Sequence, residues 1–255
     1  MMSLWKLMYI NTQEWIRLKF FQIVIFLSLV FVCFSYLLGA LSFAEQKRLI
    51  VDFGLAGIEI SLVFIAAFFS THSLAKDIER KTILVLLSRP IPRWKVILGY
   101  YGSLKLLNFF TISVLGTTLY FFIKGDPHIF LGNYLVALFV ILLKSLIVGS
   151  FGLFFSVIAR PMFAFVLTLT YWLVSYSVVE LEFFIKKINP DLREGVMYFF
   201  NFTLPQFYKY NWKTYGYLKA ALSSDQVVWA FAHSVAWIGL YLVLASIVFR
   251  RKEIV

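Results

Sequence analysis

The sequence predicts an all-α membrane protein, built as a bundle of six transmembrane helices with both termini on the cytoplasmic side. Of its 255 residues, 61% are hydrophobic and only 15% are charged, with a mean hydropathy of +0.84. Soluble domains are about 45–50% apolar and about 25% charged. Six stretches are long and apolar enough to cross a bilayer core of about 30 Å, which takes about 20 residues. The basic residues between these stretches fall mainly on one side.

The amino-terminal segment, residues 1–19, precedes the first long apolar stretch. Leu4, Met8 and Trp15 recur on one face of a helix drawn through it. Trp5 and Trp15 suit the level of the lipid headgroups, where amphipathic aromatic rings are enriched. The segment therefore predicts an amphipathic helix that lies in the membrane surface.

The six predicted spans are residues 20–42, 54–75, 98–123, 133–159, 162–184 and 227–249. The first span carries no charge, whereas Glu59 lies in the second and Lys144 in the fourth. Ionisable groups at membrane depth are costly, so both are functional candidates. Measured from the outer ends of their spans, the two residues differ in depth by roughly 9 Å at 1.5 Å per residue. Lys144 therefore pairs either with Glu59, by reaching upward, or with a carbonyl or a tyrosine.

Charge balance in the connections sets the predicted orientation. Residues 76–95 carry a net charge of +4, and the segments 1–19 and 250–253 carry +2 each. All three lie on one side if both termini are cytoplasmic, as the positive-inside rule requires. Residues 185–226, net +3 on the outer side, are an exception, but long loops follow the rule poorly. This rule also accounts for the overall charge of +11 without any nucleic-acid partner.

The outer segment, residues 185–226, is too long for a plain loop. Ten aromatic residues lie between Tyr198 and Tyr217, and Pro190 and Pro205 divide the segment. Such a composition favours short helices that dip into the outer interface. Whether these helices would gate a path or only cap the bundle stays open.

The connection between the second and third spans, residues 76–95, is amphipathic. Asp77 and Glu79 open it, where acidic side chains stabilise the positive end of a helix. Five consecutive apolar residues follow from position 83, and Pro90 and Pro92 then end any helix. An apolar run outside a span must be buried against the lipid interface or a partner protein. The segment predicts a short helix that turns sharply into the third span.

A longer motif runs through this connection. It reads Asp77-Ile78-Glu79-Arg80-Lys81-Thr82, then Leu86-Leu87-Ser88-Arg89-Pro90, then Arg93-Trp94 and Leu98-Gly99. The motif resembles a stretch in the membrane subunits of type-2 ABC exporters, some of which carry Gly where Lys81 stands. Residues 52–56 and the basic tail look like the subset of that family that contains the permease for nitrous-oxide reductase maturation.

The resemblance implies a dimer, of two copies or of two related permeases, with two ATPase subunits beneath it in a bacterial cytoplasmic membrane. ATP and Mg would bind the ATPase, and this chain would bind no cofactor. The connection would be a coupling helix in a groove of the ATPase, with Glu79 and Arg80 in polar contacts. The residues implied in this coupling are Asp77, Glu79, Arg80, Thr82, Ile83, Leu86, Leu87, Arg89 and Pro90.

A translocation path would then lie at the dimer interface, lined by the first, second and fifth spans by analogy with the family. Hydroxyl groups of the fifth span suit a path wall, although they serve equally for helix packing. The candidate path residues are Glu59, Lys144, Thr168, Tyr171 and Ser175. An apolar wall with few polar groups permits lipids, amphipathic drugs or peptides as substrates.

The sequence argues against catalysis by this chain. Its thirteen glycines contain no G-x-x-x-x-G-K-[ST] phosphate loop, so a separate ATPase would supply the energy. Its one cysteine, Cys33, lies in an apolar run and predicts neither a disulfide framework nor a cysteine-based metal site. Two other functions stay open: force transmission to a periplasmic partner, and secondary transport, although the internal repeat expected of many secondary transporters is not evident.

Overall fold

The structure is a computed structural model that describes residues 4–41, 46–83, 92–124, 131–188, 190–210 and 224–252. These residues form α-helices and one short 3₁₀ helix, with no strand among them, which confirms the all-α prediction. The helices are α1 Leu4–Arg17, α2 Lys19–Ala40, α3 Gln46–Glu79, α4 Arg93–Ile123, α5 Leu131–Ile158, α6 Pro161–Tyr176, α7 Val178–Ile188, α8 Pro190–Thr203 and α9 Ser224–Arg251, and the 3₁₀ helix is Phe207–Tyr210.

Five of the described helices, α2, α3, α4, α5 and α9, are long and apolar enough to cross a membrane. They match the first four predicted spans and the last one. The largest difference from a predicted boundary is in α3, which begins at Gln46, eight residues before the predicted start. The polar residues that precede the apolar run are already part of this helix. These helices support a polytopic membrane protein.

The predicted fifth span, residues 162–184, is divided into two helices. The first, α6, ends at Tyr176, and α7 begins at Val178 after a turn at Ser177. Glu180 lies in the first turn of α7, where a carboxylate stabilises the positive end of the helix dipole. The 16 residues of α6 reach roughly 24 Å, less than a bilayer core of about 30 Å. Six spans, and the side on which the termini lie, therefore stay predictions.

Two helices form the centre of the bundle. In the most apolar stretch of α3 and of α5, 67% of the residues are buried, against 22% in α2 and in α9. Small residues allow the central helices to approach closely. A β-carbon built on Gly149 of α5 would lie 2.1 Å from a methyl of Leu104, and one on Gly152 would lie 2.0 Å from Oγ of Ser70. The peripheral helices expose apolar side chains, as a lipid-facing surface requires.

The amino-terminal helix α1 packs against the bundle. Its Leu7 lies against Gly99 of α4, where a β-carbon would come within 2.0 Å of a Leu7 methyl. Trp15 is 3% exposed, and its ring lies 5.1 Å from that of Phe69. Trp15 therefore packs in the protein core and not against lipid, because the aromatic faces of α3 and α4 bury it. Trp5, at the start of α1, is 67% exposed.

Candidate functional site

One end of the bundle carries most of its positive charge, and we call it the basic end. It comprises the carboxyl ends of α1, α3, α5 and α9 and the amino ends of α2, α4 and α6. Its basic residues in the described ranges are Arg17, Lys19, Lys76, Arg80, Lys81, Arg93, Lys95, Arg160, Arg250, Arg251 and Lys252, and its acidic ones are Glu14, Asp77 and Glu79. The positive-inside rule predicts that this end faces the cytosol.

Basic side chains join helices at this end by satisfying terminal carbonyl groups. Nη1 of Arg93 donates to the carbonyl oxygens of Phe249 (2.9 Å), Arg250 (3.1 Å) and Lys252 (3.0 Å). Nζ of Lys252 donates to the carbonyl of Val157 (2.6 Å). The last carbonyls of a helix lack partners within the helix, and cations are favoured there. These bonds fix the start of α4 and the end of α5 to the end of α9.

A second polar cluster holds the end of α3. The carboxylate of Asp77 accepts hydrogen bonds from the hydroxyl of Tyr100 in α4 and from Oγ1 of Thr82 (3.0 Å). Between Asp77 and Thr82 in the sequence, Lys81 adopts a left-handed backbone conformation with φ of 59°. The turn that leaves α3 is thus tied to α4 through one carboxylate. Tyr100 was not predicted, because no sequence spacing links residue 100 to residue 77.

The structure divides the predicted coupling residues into three groups. Glu79, Arg80 and Thr82 expose their side chains, and Asp77 is partly buried. Ile83, which the resemblance placed in an ATPase groove, is fully buried in the core of this chain, in a cluster that includes Trp15, Ile97 and Phe249. Its side chain therefore anchors the segment to the bundle. Leu86, Leu87, Arg89 and Pro90 lie outside the described residues.

Glu59 of α3 and Lys144 of α5 form a buried salt bridge between the central helices. Nζ of Lys144 lies 2.9 Å from Oε1 of Glu59, and the two side chains are 1% and 2% exposed. Nζ of Lys144 also lies 5.6 Å from the centre of the Tyr176 ring. Both residues lie 13 positions after the first residue of their helix, Gln46 or Leu131. The depth gap expected from the sequence disappears because α3 begins earlier than predicted.

The hydroxyl candidates of α6 point into the bundle. Thr168 is fully buried and donates to the carbonyl of Ala164 (2.7 Å). The hydroxyl of Tyr171 lies 2.6 Å from that of Tyr241 in α9. Ser175 is fully buried, and its Oγ has no hydrogen-bond partner in the described part of the chain. The bonds of Thr168 and Tyr171 are those that helix packing alone would produce. A role in a path therefore stays a prediction for all three residues.

An aromatic groove of about 820 Å³ opens beside Tyr171. It lies between α5, α6 and α9, beneath the residues that end α8. Its lining residues are Phe151, Phe154, Phe155, Tyr171, Phe202, Thr203, Leu204, Ala236, Trp237, Leu240 and Tyr241. The groove has the size and apolar character of a small-molecule site.

Part of the aromatic-rich outer segment packs on the start of α9. Tyr210, at the end of the 3₁₀ helix, is buried and makes a hydrogen bond with Nδ1 of His233. Nε1 of Trp237 donates to Nε2 of the same imidazole (3.0 Å). Burial raises the pKa of Tyr210 to about 12, although the hydrogen bond from Ser234 opposes this shift. The 3₁₀ helix of this segment is thus fixed to the start of α9.

The chain matches a protein-family model. The family model described as "ABC-2 family transporter protein" matches residues 37–254. The matched region contains α3 to α9, and thus both the Glu59–Lys144 pair and the turn at Asp77. A comparison with curated proteins finds no match, so the narrower resemblance to a permease for nitrous-oxide reductase maturation is not supported.

Proposed function

Because the chain belongs to the ABC-2 family of transporters, we propose that it is the membrane subunit of an exporter driven by a separate ATPase. The proposed complex contains two membrane subunits and two ATPase subunits. The chain contributes the path and the coupling surface, and ATP hydrolysis takes place on the partner. The aromatic groove beside Tyr171 favours substrates with a large apolar part, such as lipids, amphipathic drugs or peptides.

The observation that carries this proposal is the exposed, charged turn at the end of α3. Glu79, Arg80 and Thr82 are exposed at the basic end. On either side of them, Asp77 is bonded to Tyr100 and Ile83 is buried in the core. The turn therefore offers charged groups to a partner on a backbone that is fixed to two membrane helices.

Such an anchored turn suits the transmission of a rigid-body movement. A displacement applied at Glu79 and Arg80 would shift the end of α3 directly. It would also shift α4, through the bond between Asp77 and Tyr100. Since α4 is in turn fixed to α9 by Arg93, three helices would move together.

The test uses the full complex. The chain is co-expressed with the ATPase of the organism from which it comes. In the double variant Glu79→Ala/Arg80→Ala, we expect the chain to insert and to retain its melting temperature, because both side chains are exposed. We expect the amount of co-purified ATPase to fall about tenfold or more, since a loss of about 1.4 kcal/mol of interface energy has that effect.

The matched control is Glu180→Ala/Lys187→Ala, which removes an exposed pair of opposite charges in α7, away from the basic end. Its ATPase content should equal that of the wild type. Wild-type ATPase binding by the Glu79/Arg80 variant, together with unchanged ATP hydrolysis in proteoliposomes, would show that this turn is not the coupling surface.

A further inference from the structure

A groove of about 690 Å³ lies on the outside of the bundle at its basic end. It runs between the first turns of α4 and the last turns of α9 and shares no lining residue with the aromatic groove. The residues that line it are Pro92, Arg93, Trp94, Leu98, Leu242, Val243, Ser246, Ile247 and Arg250. None of these residues belongs to the coupling surface or path proposed above.

The lining of this groove changes from apolar to basic along its length. Leu98 and Leu242 lie at the end nearer the middle of the bundle, and Arg93 and Arg250 lie at the outer end. Arg250 follows Leu242 by eight positions, which is roughly 12 Å along α9. Val243 and Ile247 remain 57% and 47% exposed, so the apolar part faces the lipid.

We propose that this groove binds an anionic phospholipid. An acyl chain lies along the apolar residues of α9, and the phosphate lies beside Arg250. Nη1 of Arg93 already donates hydrogen bonds to three carbonyl groups at the α9 terminus, whereas the side chain of Arg250 is exposed at the rim. Lys95 and Arg251 are exposed nearby and add positive charge.

Charge complementarity favours this occupant over a second copy of the chain. Neither the first turn of α4 nor the last turn of α9 contains an acidic residue. A symmetric dimer built on this groove would bring the same basic rim of two copies together. An anionic headgroup instead neutralises the rim, and basic sites between transmembrane helices are typical binding sites for anionic lipids.

A second groove on α4 provides an internal comparison. It has a volume of about 310 Å³ and lies at the opposite end, between α4 and α5. Its lining residues are Ile112, Ser113, Gly116, Thr117, Tyr120, Leu131, Tyr134, Leu135 and Leu138. Because this lining contains no basic residue, the groove can hold an acyl chain but cannot select an anionic headgroup.

The test is native mass spectrometry of the full chain in detergent, supplied with equal amounts of phosphatidylglycerol and phosphatidylcholine. We expect the wild type to retain phosphatidylglycerol preferentially. Arg250→Gln should lower that retention about fivefold, the factor that corresponds to one basic residue beside an anionic membrane surface. Val243→Trp, which fills the groove from an exposed position, should lower it as well. Lys124→Gln, an exposed cation at the other end of α4, and Leu135→Trp, in the second groove, should leave it unchanged.

Three results would overturn the proposal. The first is equal retention of the two lipids by the wild type, and the second is retention that neither Arg250→Gln nor Val243→Trp reduces. The third is a disulfide between two copies of a Val243→Cys variant made in a Cys33→Ser background, since it would show that a second chain occupies the groove. The lipid measurement needs no ATPase, so its failure is distinguishable from failure of the proposed exporter function.

Discussion

The middle of the bundle and its basic end use charged residues in opposite ways. In the middle, Glu59 and Lys144 are enclosed, and the acid of one central helix neutralises the base of the other. At the basic end, Glu79 and Arg80 face outward, while the backbone between Asp77 and Ile83 is held by internal contacts. Charge in the first region fixes helices to one another, and charge in the second is available to a partner.

This difference separates stability from coupling in a way that experiments can measure. A buried ion pair adds little net stability over an apolar pair, but removing one member leaves an uncompensated charge. Exposed charges on a fixed turn contribute little to stability, because water solvates them when a partner is absent. Substitutions in the middle should therefore unfold the protein, whereas substitutions at the basic end should change what binds to it.

The largest effect is expected for Lys144→Met. The substitution leaves Glu59 without its cation in a fully buried position, which costs about 3–5 kcal/mol of stability. A denaturation titration of the detergent-solubilised chain measures the change. The double variant Glu59→Gln/Lys144→Met removes both charges and should recover most of the loss. If the single variant unfolds like the wild type, the pair does not hold α3 to α5.

A smaller effect is expected for Tyr100→Phe at the basic end. It removes one hydrogen bond to the partly buried carboxylate of Asp77. We expect the free energy of unfolding to fall by about 1.5 kcal/mol, the lower end of the range for bonds to charged groups. Asp77→Asn weakens the same bond, so the double variant should lose less than the sum of the two losses. The neighbouring Tyr101→Phe is the matched control, and its free energy of unfolding should stay close to that of the wild type.

The Tyr100 variants also test whether stability and coupling are distinct at this end. If the turn transmits movement through Asp77, Tyr100→Phe should lower ATP-driven activity while the amount of co-purified ATPase stays at the wild-type level. A loss of ATPase binding equal to that of Glu79→Ala/Arg80→Ala would instead place Tyr100 in the docking surface, against its burial.

The sequence was sufficient where one strong local pattern decides the structure. Long apolar runs predicted α2 and α5 to within two residues at each end. The break at Ser177 was missed because a turn inside an apolar stretch depends on one polar residue and the acid that follows it. The burial of Trp15 was missed because α1 repeats its apolar residues equally well for lipid and for protein. Whether lipid or protein covers the apolar face of α1 depends on which helices pack beside it.

In the candidate site, the sequence likewise does not predict which side chains of different helices come into contact. The sequence alone does not decide whether Lys144 pairs with Glu59, because the geometry depends on where α3 begins. A shift of eight residues moves a helix end by about 12 Å. The bond between Asp77 and Tyr100 joins residues 23 positions apart, and no periodicity reports such a contact. The exposure of Glu79 and Arg80 follows from their residue type, since charged side chains are almost never fully buried unless they are paired.

The smallest effect, and the one that increases stability, is expected for Lys81→Gly. Lys81 has a φ of 59°, a left-handed conformation that costs a residue with a β-carbon about 1–2 kcal/mol. Glycine adopts this conformation without strain but loses more backbone entropy on folding, so the net gain is about 1 kcal/mol or less. The melting temperature should rise slightly, whereas the β-branched control Lys81→Val should lower it. Because Glu79 and Arg80 stay in place, ATPase binding should be retained in Lys81→Gly. A loss of binding in this stabilised variant would make the Lys81 ammonium group itself part of the docking surface.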